Sequence, residues 1–230
     1  MSPDLELAAD RRLLGRTSTV ERLADILRTR IIEGFFSPGE RLAEDSIGSA
    51  LGVSRNTLRE AFRLLTHERL LVHELNRGVF VCKLTVDDLV DLYRVRKLVE
   101  CGAVRGLDGH PPEADRVAAM ATAVAQGDDA MRASDWRGLG TANMLFHQGI
   151  AALAGSPRVD ELMRGVLAEL RLHFQSMSDP RRFHEPYLER NREVLSVIET
   201  GAGQAAERVL RMYLDDSEHQ LVEAYRAAAR

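Results

Sequence analysis

The stretch Leu51–Phe62, LGVSRNTLREAF, constrains the fold more than any other part of the chain. Gly52 permits a tight turn, because without a Cβ it takes a positive φ at little steric cost. Ser54 is a good N-cap, able to accept from a free backbone N–H of the following turn. At 100° per residue, Arg55, Asn56, Arg59 and Arg63 share one arc of the helix that follows. Leu58, Ala61, Phe62 and Leu65 share another, well separated from it. The apolar arc must be buried on something. The other displays three guanidiniums and an amide, groups that pair with guanine edges, adenine edges and phosphates. The simplest object with this design is the second helix of a helix-turn-helix.

The flanking sequence agrees. Ser18-x-x-Glu21 is a capping box, and Val20, Leu23, Ala24, Leu27, Ile31 and Ile32 follow at helical spacing, with Gly34 placed to cap the end. Ser37-Pro38-Gly39 is a turn, and Glu44–Leu51 reads as the first helix of the helix-turn-helix. The recognition helix runs from about Ser54 to Thr66. Leu70–Glu74 and Val79–Cys82 read as two strands joined at Asn76, Arg77 and Gly78, a hairpin that forms a wing. Residues 1–16 read as a flexible arm whose Arg11, Arg12 and Arg16 are solvated rather than seated on phosphates.

IIEGFFSPGERLAEDSIGSALGVSRNTLREAFRLLTHERLL, followed by NRGVFV, resembles the winged helix-turn-helix of the GntR family of bacterial transcription regulators. The resemblance rests on the PGERL turn (Pro38 to Leu42), the Gly52–Ala61 run and the Asn76–Gly78 wing tip. It implies that Arg55, Asn56, Thr57 and Arg59 face a major groove and that Ser54 and Thr57 touch phosphate. It further implies that Arg77 and Gly78 approach the minor groove or backbone, and that Arg41 supports the fold or reaches phosphate. Arg63 lies too far along the helix to reach bases.

From Thr85 the texture changes. Thr85-x-x-Asp88 is a second capping box, and the remainder reads as an all-α bundle with helices at about 86–106, 113–126, 135–154, 157–178, 186–200 and 203–228. The breaks are Gly109–Pro112, Gly127, Gly155–Pro157, Asp179-Pro180 and Gly201–Gly203. The fold class is therefore mainly α: a flexible arm at 1–16, a winged helix-turn-helix at 17–82, a linker at 83–86 and a bundle at 87–230. Asp87–Val104, Asn143–Pro157 and the last two helices resemble the effector-binding FCD domain of the FadR subfamily.

That resemblance implies a site inside the bundle. Many such domains hold a metal with one Asp or Asn and three His. Here the first pair is Asn143 and His147, on one helix face. The second histidine position is Asn191 and the third is Tyr213. An amide oxygen and a neutral phenol are poor ligands for a zinc-like ion, so tight metal binding is expected to be lost and no cofactor is expected. Of the other histidines nearby, His173, His184 and His219, His184 lies in a loop-like RRFHEP stretch, from which it could reach the site or simply be solvated. Asn143, His147, Asn191 and Tyr213 suit the lining of a small-molecule cavity, or else Asn143 and His147 are a satisfied polar pair. Arg96 is either an anchor for a ligand carboxylate or the intrahelical partner of Glu100.

A formal net charge of −4 does not oppose DNA binding, because the local face decides. Nine arginines balance nine acids over Thr17–Cys82, yet Arg55–Arg63 holds three arginines to one acid. Affinity is therefore expected to depend on dimerisation. There is no membrane span and no signal-peptide core, and Cys82 and Cys101 make no framework, so the expected location is the cytoplasm. The expected function is a ligand-responsive regulator, a repressor, binding a near-palindromic double-stranded operator as a homodimer and sensing a small carboxylate. Effector binding would shift the relative placement of the two DNA-binding domains. The rivals are a metal-dependent enzyme or metal sensor built on the bundle, and a regulator with a vestigial effector site. An enzyme would need a full ligand set or an activated nucleophile, and the sequence has neither.

Overall fold

The computed structural model of the chain describes residues 18–32, 35–107, 109–175 and 180–228. The arm at 1–16, the Gly34 cap and Asp179 lie outside the described residues. The chain divides into two compact units, Met1–Lys83 and Leu84–Arg230.

In the first unit, α1 (Thr19–Ile32) opens on the Ser18–Glu21 capping box. Glu21 N–H donates to Ser18 Oγ at 3.1 Å and Ser18 N–H to Glu21 Oε2 at 2.8 Å. Helix α2 (Glu44–Leu51) ends on Gly52 at φ +64°, the left-handed turn for which glycine is suited. Helix α3 (Arg55–His67) starts from Ser54, whose side chain accepts from Thr57 N–H. Its buried residues are Leu58, Ala61, Phe62 and Leu65, the apolar arc of the sequence, and they pack against Leu23, Leu27 and Ile31 of α1.

Strands β1 (Leu71–Glu74) and β2 (Gly78–Val81) pair antiparallel, with Leu71 opposite Val81 and Glu74 opposite Gly78. The far edge of β2 is also paired. Leu42 N–H donates to Val79 O and Val81 N–H to Glu40 O, both at 2.9 Å. The PGERL segment thus closes the wing edge, which lowers the exposure of unpaired strand groups.

The second unit holds α4 (Val86–Arg105), α5 (Ala114–Arg132), α6 (Trp136–Ala152), α7 (Pro157–Gln175), α8 (Pro180–Glu199) and α9 (Gly203–Ala228). Thr85 and Asp88 complete the capping box of α4 in both directions. Helix α6 packs against α4, α5, α7 and α8, so its residues face the interior on several sides. It carries Leu139, Phe146 and Ile150 into the core, and Gly140, Asn143 and His147 with them. No described helix is long and apolar enough to cross a membrane.

One expected break is not a break, and one stretch expected to be loop-like is helical. Gly127 lies inside α5 and is buried, and a Cβ there would stand 2.7 Å from Leu188 Cδ1. The glycine serves close helix approach rather than termination. RRFHEP is helical, and Pro186 sits inside α8. Proline removes one helical donor, but Phe183, His184, Tyr187 and Leu188 around it are all buried, and that packing holds the helix.

The α8–α9 turn docks on the α4–α5 connection. Gly201 has φ +72°, and a Cβ on it would lie 2.5 Å from the carbonyl carbon of His110. Gly201→Ala is expected to destabilise the bundle by at least about 2 kcal/mol, from the disfavoured φ and the backbone collision together. Gly165, within α7 and facing open space, is the control. Gly165→Ala is expected to stabilise by about 0.5–1 kcal/mol. Urea unfolding of the two variants beside the parent checks both.

Candidate functional site

The first unit brings the recognition helix and the wing to one cleft. Arg41, Glu44, Asp45, Arg55, Arg59 and Gly78 line it. Ser54 and Thr57 hydroxyls lie 2.8 Å apart at the start of α3. Arg55 and Asn56 are exposed on the first turn and Arg59 on the next. Arg41 crosses beneath the wing tip, and a Cβ at Gly78 would stand 3.1 Å from its Nε. Gly78 has φ +109° and Asn76 has φ +60°, so the tip is a tight turn that brings Arg77 out over the Phe80 ring at 5.4 Å. Arg77 also pairs with Glu74.

Two acids at the start of α2 hold the arginines of α3. Arg55 reaches Asp45 and Arg59 reaches Glu44, each at 3.0 Å. The reading of the sequence placed these acids on the first helix without pairing them to the recognition face. The arginines are about two-thirds to three-quarters exposed. Exposed ion pairs contribute about 0–1 kcal/mol, so the acids steer the guanidiniums without locking them, and exchange for phosphate or base is cheap.

The second unit buries a polar cluster. Arg96 and Glu100, one turn apart on α4, are 1% and 0% exposed, and Arg96 Nε donates to Glu100 Oε1 at 2.8 Å. The second carboxylate oxygen faces His147 Nδ1 on α6 at 2.6 Å. His147 Nε2 stands 3.1 Å from the Tyr213 hydroxyl of α9. That hydroxyl lies 3.0 Å from Asn143 Oδ1, to which Asn191 Nδ2 of α8 donates at 2.8 Å. The five residues singled out in the sequence therefore meet in one place, with Glu100 at their centre. Glu100 entered the sequence reading only as a partner for Arg96. Its place between a cation and an imidazole was not legible from an i, i+4 spacing.

The electrostatics follow from burial and neighbours. Burial raises the Glu100 pKa, but Arg96 and His147 outweigh it and hold the carboxyl below its ordinary range. Burial lowers the His147 pKa, keeping the ring neutral, and pushes the Tyr213 phenol well above its ordinary value. Arg96 Nη2 and Asn191 Oδ1 are buried with no partner among the described residues. As a metal site the set does not fit. It offers one imidazole, one carboxylate already held by Arg96 and by that imidazole, two neutral amides and a phenol held neutral, whereas a zinc-like ion wants several imidazoles or anionic ligands. Among the described residues no three His, Cys, Asp or Glu are grouped as a metal would require. Cys101, its thiol pushed up by burial to about 11, is no nucleophile.

Along α6 lies a second buried pair absent from the sequence reading. Arg171 of α7 donates from Nη2 to the Arg137 carbonyl and to Thr141 Oγ1, both at 2.8 Å. His184 of α8 packs on Phe174 and Phe183 at ring separations of 4.7 and 5.2 Å. Burial, and then Arg171, push the His184 pKa down to about 3.

His147 and His184 are neutral when folded, whereas an unfolded chain takes up protons near pH 6.5. Their contribution is whole above that pH and is lost as pH falls toward their depressed native values. Unfolding free energy is therefore expected to fall between about pH 6.5 and 5, by up to about 1.4 kcal/mol per pH unit for each histidine. His184→Gln removes one such share. Urea titrations at several pH values measure the slope, and an unchanged slope in the variant refutes a buried neutral His184.

Both units resemble known proteins. Residues 19–81 match the bacterial regulatory proteins of the gntR family and residues 91–216 match the FCD domain. The solved structure of a putative transcriptional regulator GntR from Rhodococcus sp. RHA1 is 48% identical, with a TM-score of 0.85 over 91% of this chain and 100% of that one. Escherichia coli McbR/YncC shares the fold at 18% identity, with a TM-score of 0.77 over 91% of this chain and 100% of its own. The gluconate operon transcriptional repressor of Bacillus licheniformis is 35% identical over 100 residues, 44% of this chain and 41% of that protein. The matches to the first curated relatives span 33–41% of those proteins' lengths. With both of its units matched in order, the chain belongs to the GntR family of bacterial transcription regulators, those in which a winged helix-turn-helix precedes an FCD domain.

Proposed function

We propose that this regulator is a repressor that binds a near-palindromic operator as a homodimer and is released by a small carboxylate bound in its helical bundle. The observation that carries the DNA reading is the single cleft shared by Arg41, Arg55, Arg59 and Gly78. Arg55, Asn56 and Arg59 read the major groove, Ser54 and Thr57 contact phosphate, and Arg77 and Gly78 enter the minor groove or follow the backbone. The functional boundaries are 17–82 for DNA binding and 87–230 for sensing, with 83–86 as the link.

For the effector, the support is a buried cluster with unmet hydrogen-bonding capacity. Arg96, Asn143, His147, Asn191 and Tyr213 line the site, and Arg96 Nη2 and Asn191 Oδ1 are the free valences. A ligand that satisfies them binds one arrangement of the bundle better than another. Linkage then makes DNA and ligand affinities change by the same factor. Neither metal chemistry nor catalysis belongs to this reading, because the donor set suits neither a zinc-like ion nor an activated nucleophile. The relatives named as repressors support the sign of the response.

Sequencing of genomic fragments selected by the purified protein is expected to give a short inverted repeat. Arg59→Ala is expected to weaken binding to it by about 1–3 kcal/mol, seen by gel shift. Equal affinity in the variant removes Arg59 from the reading, and enrichment of unrelated fragments removes the operator. Elemental analysis is expected to find far less than one metal per chain, and a stoichiometric ion returns the metal-sensor alternative.

A further inference from the structure

Helix α4 has one face that its own chain leaves bare. At about 100° per residue, Asp87, Asp91, Arg94, Leu98, Gly102 and Arg105 fall on one stripe, and all of them are exposed. Leu98 is 73% exposed, the most of any large apolar side chain among the described residues of this unit. One exposed leucine needs no explanation, but the setting of this one does. A Cβ at Gly102, one turn further on, would meet nothing within 4 Å. No neighbour among the described residues requires that glycine, although glycine inside a helix costs stability against alanine. Beside the stripe an open groove of about 450 Å³ runs between α4 and α9, lined by Val90, Cys101 and Arg211 as well as Leu98 and Gly102.

The charges along the stripe are ordered. Asp87 and Asp91 lie toward its start, Arg105 at its end and Leu98 between them. Asp91 and Arg105 each stand about 10 Å along the axis from Leu98, in opposite directions. A second copy of the helix, antiparallel and related by a two-fold axis at Leu98, therefore sets Asp91 against the partner's Arg105 and Arg105 against the partner's Asp91. Arg94 falls opposite the partner's Gly102, where the missing Cβ leaves room for its stem. A parallel copy would instead set like charges against each other, which is costly. Within the chain these charges are lightly held. Arg94 reaches Asp91 at 2.8 Å and Arg105 reaches Glu207 at 3.5 Å, and both arginines are 67% exposed. Exposed pairs of this kind are readily shared or exchanged.

We propose that the outward stripe of α4 is the surface on which two copies of this chain pair, antiparallel about Leu98. The proposal rests on the homodimer reading above and names its interface. A two-fold interface presents the same patch from both copies, so each favourable contact is made twice. Leu98 closes on the partner's Leu98 at the axis, and the charge pairs flank it on both sides.

Sedimentation of the full chain over a range of concentrations at low ionic strength tests this. The parent is expected to dimerise. Leu98→Glu, Asp91→Arg and Arg105→Glu are each expected to weaken self-association at least about tenfold, with the helical circular dichroism unchanged because all three side chains are exposed. An equimolar mixture of Asp91→Arg and Arg105→Glu restores opposite charges at both pairs across the axis. It is expected to form a heterodimer within about threefold of the parent's affinity. Self-association that survives any of the three substitutions, or a mixture that does not recover, overturns this surface while the homodimer reading stands. A parent that stays monomeric at every concentration, with and without operator DNA, overturns both.

Discussion

The bundle depends on one buried carboxylate. Glu100 has no solvent to share, so its charge is answered by Arg96 on one oxygen and by His147 on the other. Removing one partner of such a set leaves an uncompensated charge, which costs about 3–5 kcal/mol. The carboxylate also fixes the imidazole. With Glu100 ionised, Nδ1 carries the proton, and Nε2 is left as an acceptor toward Tyr213. Through that ring the state of α4 is connected to α6, α8 and α9 by successive hydrogen bonds. A ligand touching any member touches four helices, the physical basis for coupling that a regulator needs.

The DNA-binding unit obeys the opposite rule. The arginines of its recognition helix and wing are exposed, and each is lightly tethered by an acid: Arg55 by Asp45, Arg59 by Glu44, Arg77 by Glu74. Water screens these pairs, so their exchange for phosphates changes little except the release of counterions. What must be rigid there is the apolar side of α3, and Leu58, Ala61, Phe62 and Leu65 are all buried. The same helix is a core element on one face and an adjustable one on the other.

How far the sequence could be read follows from this division. Helix α3, its cap, the left-handed Gly52 and the wing turn are local features with local signatures, and their bounds differ from expectation by a residue or so. The polar residues of the bundle were legible one helix at a time. Asn143 and His147 share a face by spacing, while Asn191 and Tyr213 came only from family resemblance. Glu100 as hub, and the pairing of Arg171 with His184, depend on which helices meet, which no periodicity carries. Gly127, expected as a break, and the RRFHEP stretch with its Pro186, expected as loop-like, are helical for a related reason. Both are breakers by local propensity, and both are overridden by burial against neighbouring helices.

The proton count of the cluster says what it still lacks. The Tyr213 hydroxyl has one hydrogen and two acceptors in reach, His147 Nε2 at 3.1 Å and Asn143 Oδ1 at 3.0 Å. If His147 is neutral, the one hydrogen can face only one of the two acceptors, and turned to Nε2 it leaves Asn143 Oδ1 without the hydroxyl as a donor. Asn143 Oδ1 then keeps Asn191 as its donor and has a lone pair to spare. If His147 takes a proton, Nε2 becomes a donor and the hydroxyl turns to Asn143 instead. Asn191 Oδ1 is unmet in either state. The vacant capacity at this end is thus for hydrogen-bond donors, while Arg96 Nη2 at the Glu100 end lacks an acceptor among the described residues. A molecule with hydroxyl or amine hydrogens a few bonds from a carboxylate satisfies both ends at once, whereas a plain aliphatic acid leaves the amides unmet.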